Sequence, residues 1–126
     1  MPRLERIIVI VAVLIVVVGG AAWYWEREAP PTWTTPFQAV MLDSGVVYFG
    51  RLSGYGTAHP VLSDVYYVQS QVDPNTKAVS NTLVRLSTQW HGPDRMVLNP
   101  NHIVAVEPVA TVSTVATLIE EAEKKK

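Results

Sequence analysis

The sequence predicts three parts in order: an N-terminal transmembrane α-helix, a small all-β barrel, and a C-terminal amphipathic helix. Three observations carry this reading. Residues 7–18 contain no polar side chain. From Phe37 onward the apolar residues fall into short runs broken by Gly, Pro, Asp and Asn. From Val112 they recur at helical spacing.

Residues 7–25 hold 17 hydrophobic residues in 19. At ~1.5 Å of rise per residue, a helix of that length spans about 28 Å, close to the hydrocarbon thickness of a bilayer. Ile7, Val11, Leu14 and Val18 are span residues, and Trp23, Tyr24 and Trp25 suit an interfacial aromatic belt. β-Branched residues are poor helix formers in water, but in lipid a helix is the one way for a single segment to satisfy its own N–H and C=O groups. The segment reads as a cleavable signal peptide, with Arg3 and Arg6 ahead of the apolar core, or as a retained anchor; the anchor is the expectation. After the span come Glu26, Arg27 and Glu28, so positive charge is concentrated on the N-terminal side. The positive-inside rule then places residues 1–6 in the cytoplasm and residues 26–126 outside an inner (cell) membrane crossed once. No ionisable residue lies within the span, which argues against an ion path, a proton relay or a histidine-held haem or chlorophyll there. Gly19 and Gly20 suit either close helix packing or the tolerance of a helix end.

Residues 26–36 form a Pro-rich linker, because Pro30, Pro31 and Pro36 cannot continue a helix. Residues 37–108 form the β-domain. Strands are expected at Phe37–Leu42, Val46–Leu52, Val61–Gln69, Thr82–Trp90, Arg95–Leu98 and His102–Glu107. Asp43-Ser44-Gly45 is a tight turn, residues 53–60 and 70–80 are polar connections, and His91–Asp94 and Asn99–Asn101 are further turns. Five or six short strands of this kind suggest a closed antiparallel barrel, which removes costly edges. The expected core is Val40, Leu42, Val47, Leu52, Leu62, Val65, Leu83, Val84, Leu86, Val97, Ile103 and Val106. Adjacent Tyr66 and Tyr67 must point to opposite faces of their strand.

Residues 111–126 form the amphipathic helix. Val112, Val115, Ala116, Ile119 and Ala122 share a face, Ser113 or Thr111 caps the start, and Glu120–Lys124 and Glu121–Lys125 are i,i+4 pairs. Lysines 124–126 suit the helix macrodipole at its C-terminus.

The segment Val40-x-Leu42-x-x-Gly45-x-x-Tyr48-x-Gly50-x-Leu52 resembles the first motif of Sm-like proteins, a strand–turn–strand with glycines at the same spacing. Leu62–Val65 looks like the end of that motif, and Asn99–Val106 is similar in shape to the second. The resemblance covers about half of the β-domain and implies an Sm-like or SH3-like barrel. The family's Arg-Gly pair is replaced here by Asn99-Pro100. Because that Arg helps form the family's base pocket, the barrel is carried over and RNA binding is not. The layout is also similar to an uncharacterised group of small bacterial single-span membrane proteins, through Val47-Tyr48-Phe49-Gly50-x-Leu52, Leu62-x-Asp64-Val65-Tyr66-Tyr67-x-Gln69, Leu98-Asn99 and His102-Ile103. That likeness implies no activity.

Composition narrows the chemistry. Hydrophobic residues make up 48% of the chain, which excludes disorder throughout. A net charge of −1 argues against a nucleic-acid partner. Zero cysteines exclude disulfides, thiolate metal sites and a cysteine nucleophile. His59, His91 and His102 have no ligand spacing; a metal would need them to converge, with Asp64 or Asp94. There is no Gly-x-Ser-x-Gly elbow, and Gly54-x-Gly56 lacks the third glycine and helix of a dinucleotide site. The expectation is therefore no catalysis, no cofactor and no metal.

Aromatic and Arg residues are the usual interface anchors. They single out Trp33, Tyr55, Tyr67 and the cluster Trp90, His91, Asp94 and Arg95 as candidate interface residues. The expected function is a single-span accessory or structural subunit. Its partners would be the lipid bilayer and other membrane-protein subunits of a respiratory, photosynthetic, secretion or transport assembly. The alternative is a free-standing anchored module that binds a peptide, a glycan or another small ligand.

Overall fold

A computed structural model describes residues 2–27 and 31–125. The chain divides into two compact units, one up to Pro31 and one from Thr32. In the first, α1 runs Pro2–Arg27 as one uninterrupted helix. It is long and apolar enough to cross a membrane, with a mean hydropathy of 2.7 in its best window. Every side chain from Pro2 to Glu26 is exposed, including both glycines' neighbours. The helix begins well before residue 7, taking in Arg3 and Arg6.

The second unit contains β1 Gln38–Leu42, β2 Val47–Ser53, β3 Val61–Val72, β4 Val79–Arg85, β5 Arg95–Val97, β6 Ile103–Pro108 and α2 Thr114–Lys124. Short 3-10 turns at Leu86–Thr88 and Pro100–His102 follow β4 and precede β6. All pairings are antiparallel, in the order β4-β3-β2-β1-β6, with β5 also paired to β3. The turn between β1 and β2 forms as its sequence suggests: Gly45 takes φ +85° and its N–H donates to Leu42 O at 2.9 Å.

One irregularity organises the sheet. Phe49 pairs with Tyr66 and Arg51 with Ser63, so Gly50 stands opposite two residues, Asp64 and Val65. Asp64 absorbs the extra residue at φ +50°. The bulge turns Leu62 and Val65, three apart, onto the same face, while Tyr66 points to the other. Gly50 has to be glycine: a Cβ there would lie 2.7 Å from Ser63 O and 2.8 Å from Leu62 Cγ.

Each face of the sheet carries its own core. On one, Val40, Leu52, Leu62, Val65, Leu86 and Leu98 pack together, with Trp33, Tyr48, Tyr55 and Tyr67 against them. On the other, Ala39, Phe49 and Tyr66 are in register across three strands, and α2 lays Val115, Ala116, Ile119 and Ala122 over them beside Phe37 and Val109. Ser113 caps α2 by accepting from Ala116 N–H at 3.1 Å.

Besides the C-terminal helix, which begins at Thr114 and leaves Val112 exposed ahead of it instead of on its apolar face, the structure departs from the sequence reading in four places. First, the sheet is open: among the described residues no ladder joins β6 to β4 or β5, as a closed barrel requires. Leu98 N–H still bonds Pro60 O on the β3 side, and Asp43 N–H bonds His102 O on the β1 side. The chain between them is a turn around Pro100, which has no N–H to give a ladder. Second, residues 70–72 and 79–81 extend β3 and β4 as a long hairpin, since continued pairing satisfies polar backbone that composition alone reads as loop. The expected strand at 82–90 ends instead at Arg85, where Leu86–Thr88 tighten into a 3-10 turn. Third, Val97 is exposed while Leu98 is buried, because Met96 of β5 and Leu98 just after it face the core on either side of Val97. Fourth, the linker is divided. Residues 28–30 lie outside the described residues, as do Met1 and Lys126, whereas Trp33 and Thr35 belong to the β-domain: Thr35 O accepts from Gln38 Nε2 at 2.7 Å.

Candidate functional site

The residues expected at an interface fall into three places. Trp33 and Tyr55 stack edge to face with ring centres 5.9 Å apart, half-buried against the first core. Tyr67 makes the same kind of contact with Tyr48, its cross-strand partner, at 6.2 Å. These three side chains serve packing. Trp90, His91, Asp94 and Arg95 share one turn and are all exposed. Trp90 is exposed to 106% of its reference surface, so no other described residue covers it. The turn that presents it is closed by Gly92 N–H donating to Gln89 O at 2.8 Å, with Gly92 at φ +56°. Arg95 pairs loosely with Asp94 at 3.6 Å.

Sequence reasoning missed the cluster beneath α2. Tyr66 is buried to 1% exposure, and its hydroxyl donates to Glu123 Oε1 at 2.8 Å. Arg85 Nη2 donates to both Tyr66 Oη, at 3.0 Å, and Glu123 Oε1, at 3.1 Å. The guanidinium also lies over the Tyr66 ring, 5.4 Å from its centre. The cluster joins β3, β4 and the last turn of α2. Burial first, then the bond to Glu123, pushes the Tyr66 phenol up to about 12, against the lowering pull of Arg85. Near neutral pH Tyr66 is thus a fixed hydrogen-bond donor and not a base. The signal available in the sequence was weak: Glu123 is the acid of α2 nearest the apolar face, four residues after Ile119.

Beside this cluster is a groove of about 280 Å³. Phe37, Val109, Ala116 and Ile119 form its floor, and Arg51, Glu120 and Glu123 stand at its rim. Arg51 stacks over Phe37 at 4.5 Å and bonds Asp64 Oδ2 at 3.1 Å, so the bulge residue also orients the rim cation. Glu120 is paired along the helix with Lys124 at 3.1 Å. The groove thus has an apolar floor, and each charge at its rim is already paired within the chain.

The histidines separate. His102 Nδ1 lies 2.6 Å from Asp43 Oδ2 and ties the 3-10 turn to the β1–β2 turn. His59 and His91 are exposed on other loops, and Asp64 is engaged with Arg51. Among the described residues no group of three or more His, Asp or Glu side chains is placed to hold a metal ion. Gln38, the buried polar side chain among the described residues, is satisfied at both ends: it donates to Thr35 O and accepts from Leu52 N–H at 2.9 Å.

In comparisons with protein-family models and with curated proteins, the chain matches none.

Proposed function

We propose that this chain is a non-catalytic, single-span accessory subunit that docks its β-domain on a larger membrane-protein complex. In this reading α1 crosses the inner membrane once, the N-terminus is cytoplasmic, and the β-domain stands outside. The anchor is supported by a helix of 26 residues whose side chains from Pro2 to Glu26 are all exposed. Docking rests on one observation, the full exposure of Trp90 on a braced turn beside an arginine. A tryptophan left in water on a hydrogen-bonded turn is the kind of residue that anchors an interface. The Sm-like or SH3-like character of the β-domain belongs to the same proposal. It is supported by the β1–β2–β3 meander, the bulge at Gly50 and the return of the last strand to β1.

The test is extraction in mild detergent, native sizing and mass spectrometry of the full chain and of Trp90→Ala. The expected result is stoichiometric co-migration with larger subunits, weakened at least roughly tenfold in Trp90→Ala, the loss of a single hot spot. A chain that migrates without larger subunits, or whose co-migration ignores Trp90, refutes the proposal. The groove beneath α2 favours the second reading, an anchored module for a small amphipathic ligand. Under that reading Ala116→Trp, which fills the groove from a half-buried position on α2, abolishes binding while Trp90→Ala does not.

A further inference from the structure

The β3–β4 hairpin continues beyond the part of the sheet that α2 covers. From Val68 to Thr82 every residue is exposed. Its two faces differ. Val68, Ser70 and Val72 of β3 are in register with Leu83, Asn81 and Val79 of β4, on the face shared with Tyr66 and α2. Of these, Val68, Val72 and Val79 are exposed hydrophobics, 44%, 59% and 63% accessible. The other face carries Gln69, Gln71, Ser80 and Thr82. β4 is also an edge strand, paired on one side only.

Unpaired edges are normally blunted by charge, proline, a bulge or shortness. β5 has three residues with Arg95 among them, and β6 ends in Glu107 and Pro108. β4 has none of these protections from Val79 to Val84: no charge, no proline, and an unbroken register with β3. Every second residue there directs its N–H and C=O away from β3.

The chemistry of β4 says what fits it. Val79-Ser80-Asn81-Thr82-Leu83 reads the same in both directions: apolar, hydroxyl, amide, hydroxyl, apolar. We infer that the β4 edge pairs antiparallel with β4 of a second copy of this chain, about a two-fold axis at Asn81. Val79 then lies opposite Leu83, Ser80 opposite Thr82, and Asn81 opposite its own symmetry mate. An axis normal to the sheet keeps each face on its own side, so the valine surface of one arm continues into that of the other and the polar faces likewise. Between residues 79 and 83 the two strands carry no charge, so this part of the pairing meets no like-charge repulsion. Asn81 Oδ1 already accepts from Ser70 Oγ at 2.7 Å, which leaves its NH₂ as the donor for a mate. This pairing joins copies of the chain and is separate from the docking surface at Trp90.

The absence of native cysteine makes the test direct. Single substitutions Val79→Cys, Asn81→Cys, Leu83→Cys and Trp90→Cys are made in the full-length chain in membranes and oxidised. A disulfide needs Cα atoms about 5.5–6 Å apart, which among identical positions only the residue on the axis meets. Disulfide dimer at Asn81→Cys is expected to exceed that at the other three positions about tenfold. Mixing Val79→Cys with Leu83→Cys chains is expected to restore it, since those positions face each other. Equal yields at residues 79, 81, 83 and 90, or no dimer at Asn81→Cys, overturn the inference. A dimer that α1 holds by itself gives no maximum at Asn81 and overturns it equally. Asn81→Lys, which places two ammonium groups at the axis, is expected to abolish the Val79–Leu83 cross-link with the β-domain's circular dichroism unchanged. Persistence of the cross-link in that variant also overturns it.

Discussion

Gly50→Ala is the sharpest perturbation of this fold, because its cost can be worked from contacts. The new Cβ would sit 2.7 Å from Ser63 O, 2.8 Å from Leu62 Cγ and 3.0 Å from Leu62 Cδ1. Carbon contacts relax at about 3.5–4.0 Å, so the neighbours must yield by roughly 0.7 Å or more. Neither is free to do so. Ser63 is held in the ladder by Arg51 on one side and Arg95 on the other. Leu62 is fully buried at 0% exposure. Overpacking of this kind costs about 1–3 kcal/mol, and two blocked neighbours place it in the upper half. For a domain of this size, that lowers Tm by about 10–20 °C. The assay is urea and thermal unfolding of the full chain in mild detergent, followed through the aromatic near-ultraviolet signal. Gly45→Ala is the control: nothing lies within 4 Å of its Cβ, so it loses only the left-handed backbone term of about 1–2 kcal/mol. Leu62→Ala supplies the decisive comparison. In the Gly50→Ala background it removes two of the three clashing atoms, leaving Ser63 O, so its own penalty shrinks by roughly 1 kcal/mol. With Gly45→Ala it adds within about 0.5 kcal/mol. Additivity between Gly50→Ala and Leu62→Ala would refute the packing argument.

The cluster beneath α2 yields two further expectations. Glu123→Ala strands Arg85 and Tyr66 in a part-buried site and costs about 1–2 kcal/mol, with amide exchange in α2 rising before that of β1 and β2. The Tyr66 phenol, with its folded pKa raised from 10.0 to about 12, stabilises the protein fully below pH 10. That stability is lost as pH rises from 10 through the folded value. Unfolding curves across that window should fall more steeply for the parent than for Tyr66→Phe; parallel curves would count against the assignment. Trp33→Ala tests the boundary of the β-domain: it should cost about 2 kcal/mol through lost packing on Tyr55 and the first core, whereas a residue of a free spacer would cost nothing measurable.

Much of the architecture was legible because the relevant signals are local. The twelve apolar residues from Ile7 to Val18 can be read one by one, the Asp43-Ser44-Gly45 turn depends on neighbours in sequence, and Ser113 caps a helix whose periodic face follows directly. Long-range features were less legible. Residues 70–72 and 79–81 look like loop because they are polar, yet each satisfies its backbone against a partner strand. The bulge depends on Gly50 meeting Asp64 and Val65, residues more than a dozen positions away. It breaks the period-two pattern that assigns faces, so Tyr66 could not be given a face from β3 alone. The cluster of Tyr66, Arg85 and Glu123 draws one residue from each of three elements, and none of them carries a motif. Closure failed as an expectation for a physical reason as well. Strand count suggests a barrel, but the segment that should seal it contains Pro100 and turns instead of pairing.

The hydrophobic content takes on a different meaning once it is located. Without residues 7–25, 44 of the remaining 107 residues are hydrophobic, about 41%. Those residues serve two small cores on opposite faces of a single sheet, one of them completed only by α2. A domain with that little to bury gains from keeping its large apolar groups inside, and monomeric proteins seldom leave contiguous apolar surface in water. Yet apolar groups stay outside both cores, and beside single side chains such as Val97, Val104 and Val112 three features stand out: the helix α1, the indole of Trp90, and the valines of the β3–β4 arm. Each differs in form. The first is a cylinder of bilayer length, the second a single anchor on a braced turn, the third a flat stripe along an uncharged edge. Lipid, a pocket on another protein and a second strand are the surfaces that match these forms in turn. The proposed anchoring, docking and self-pairing therefore make independent demands, and loss of one should leave the other two measurable.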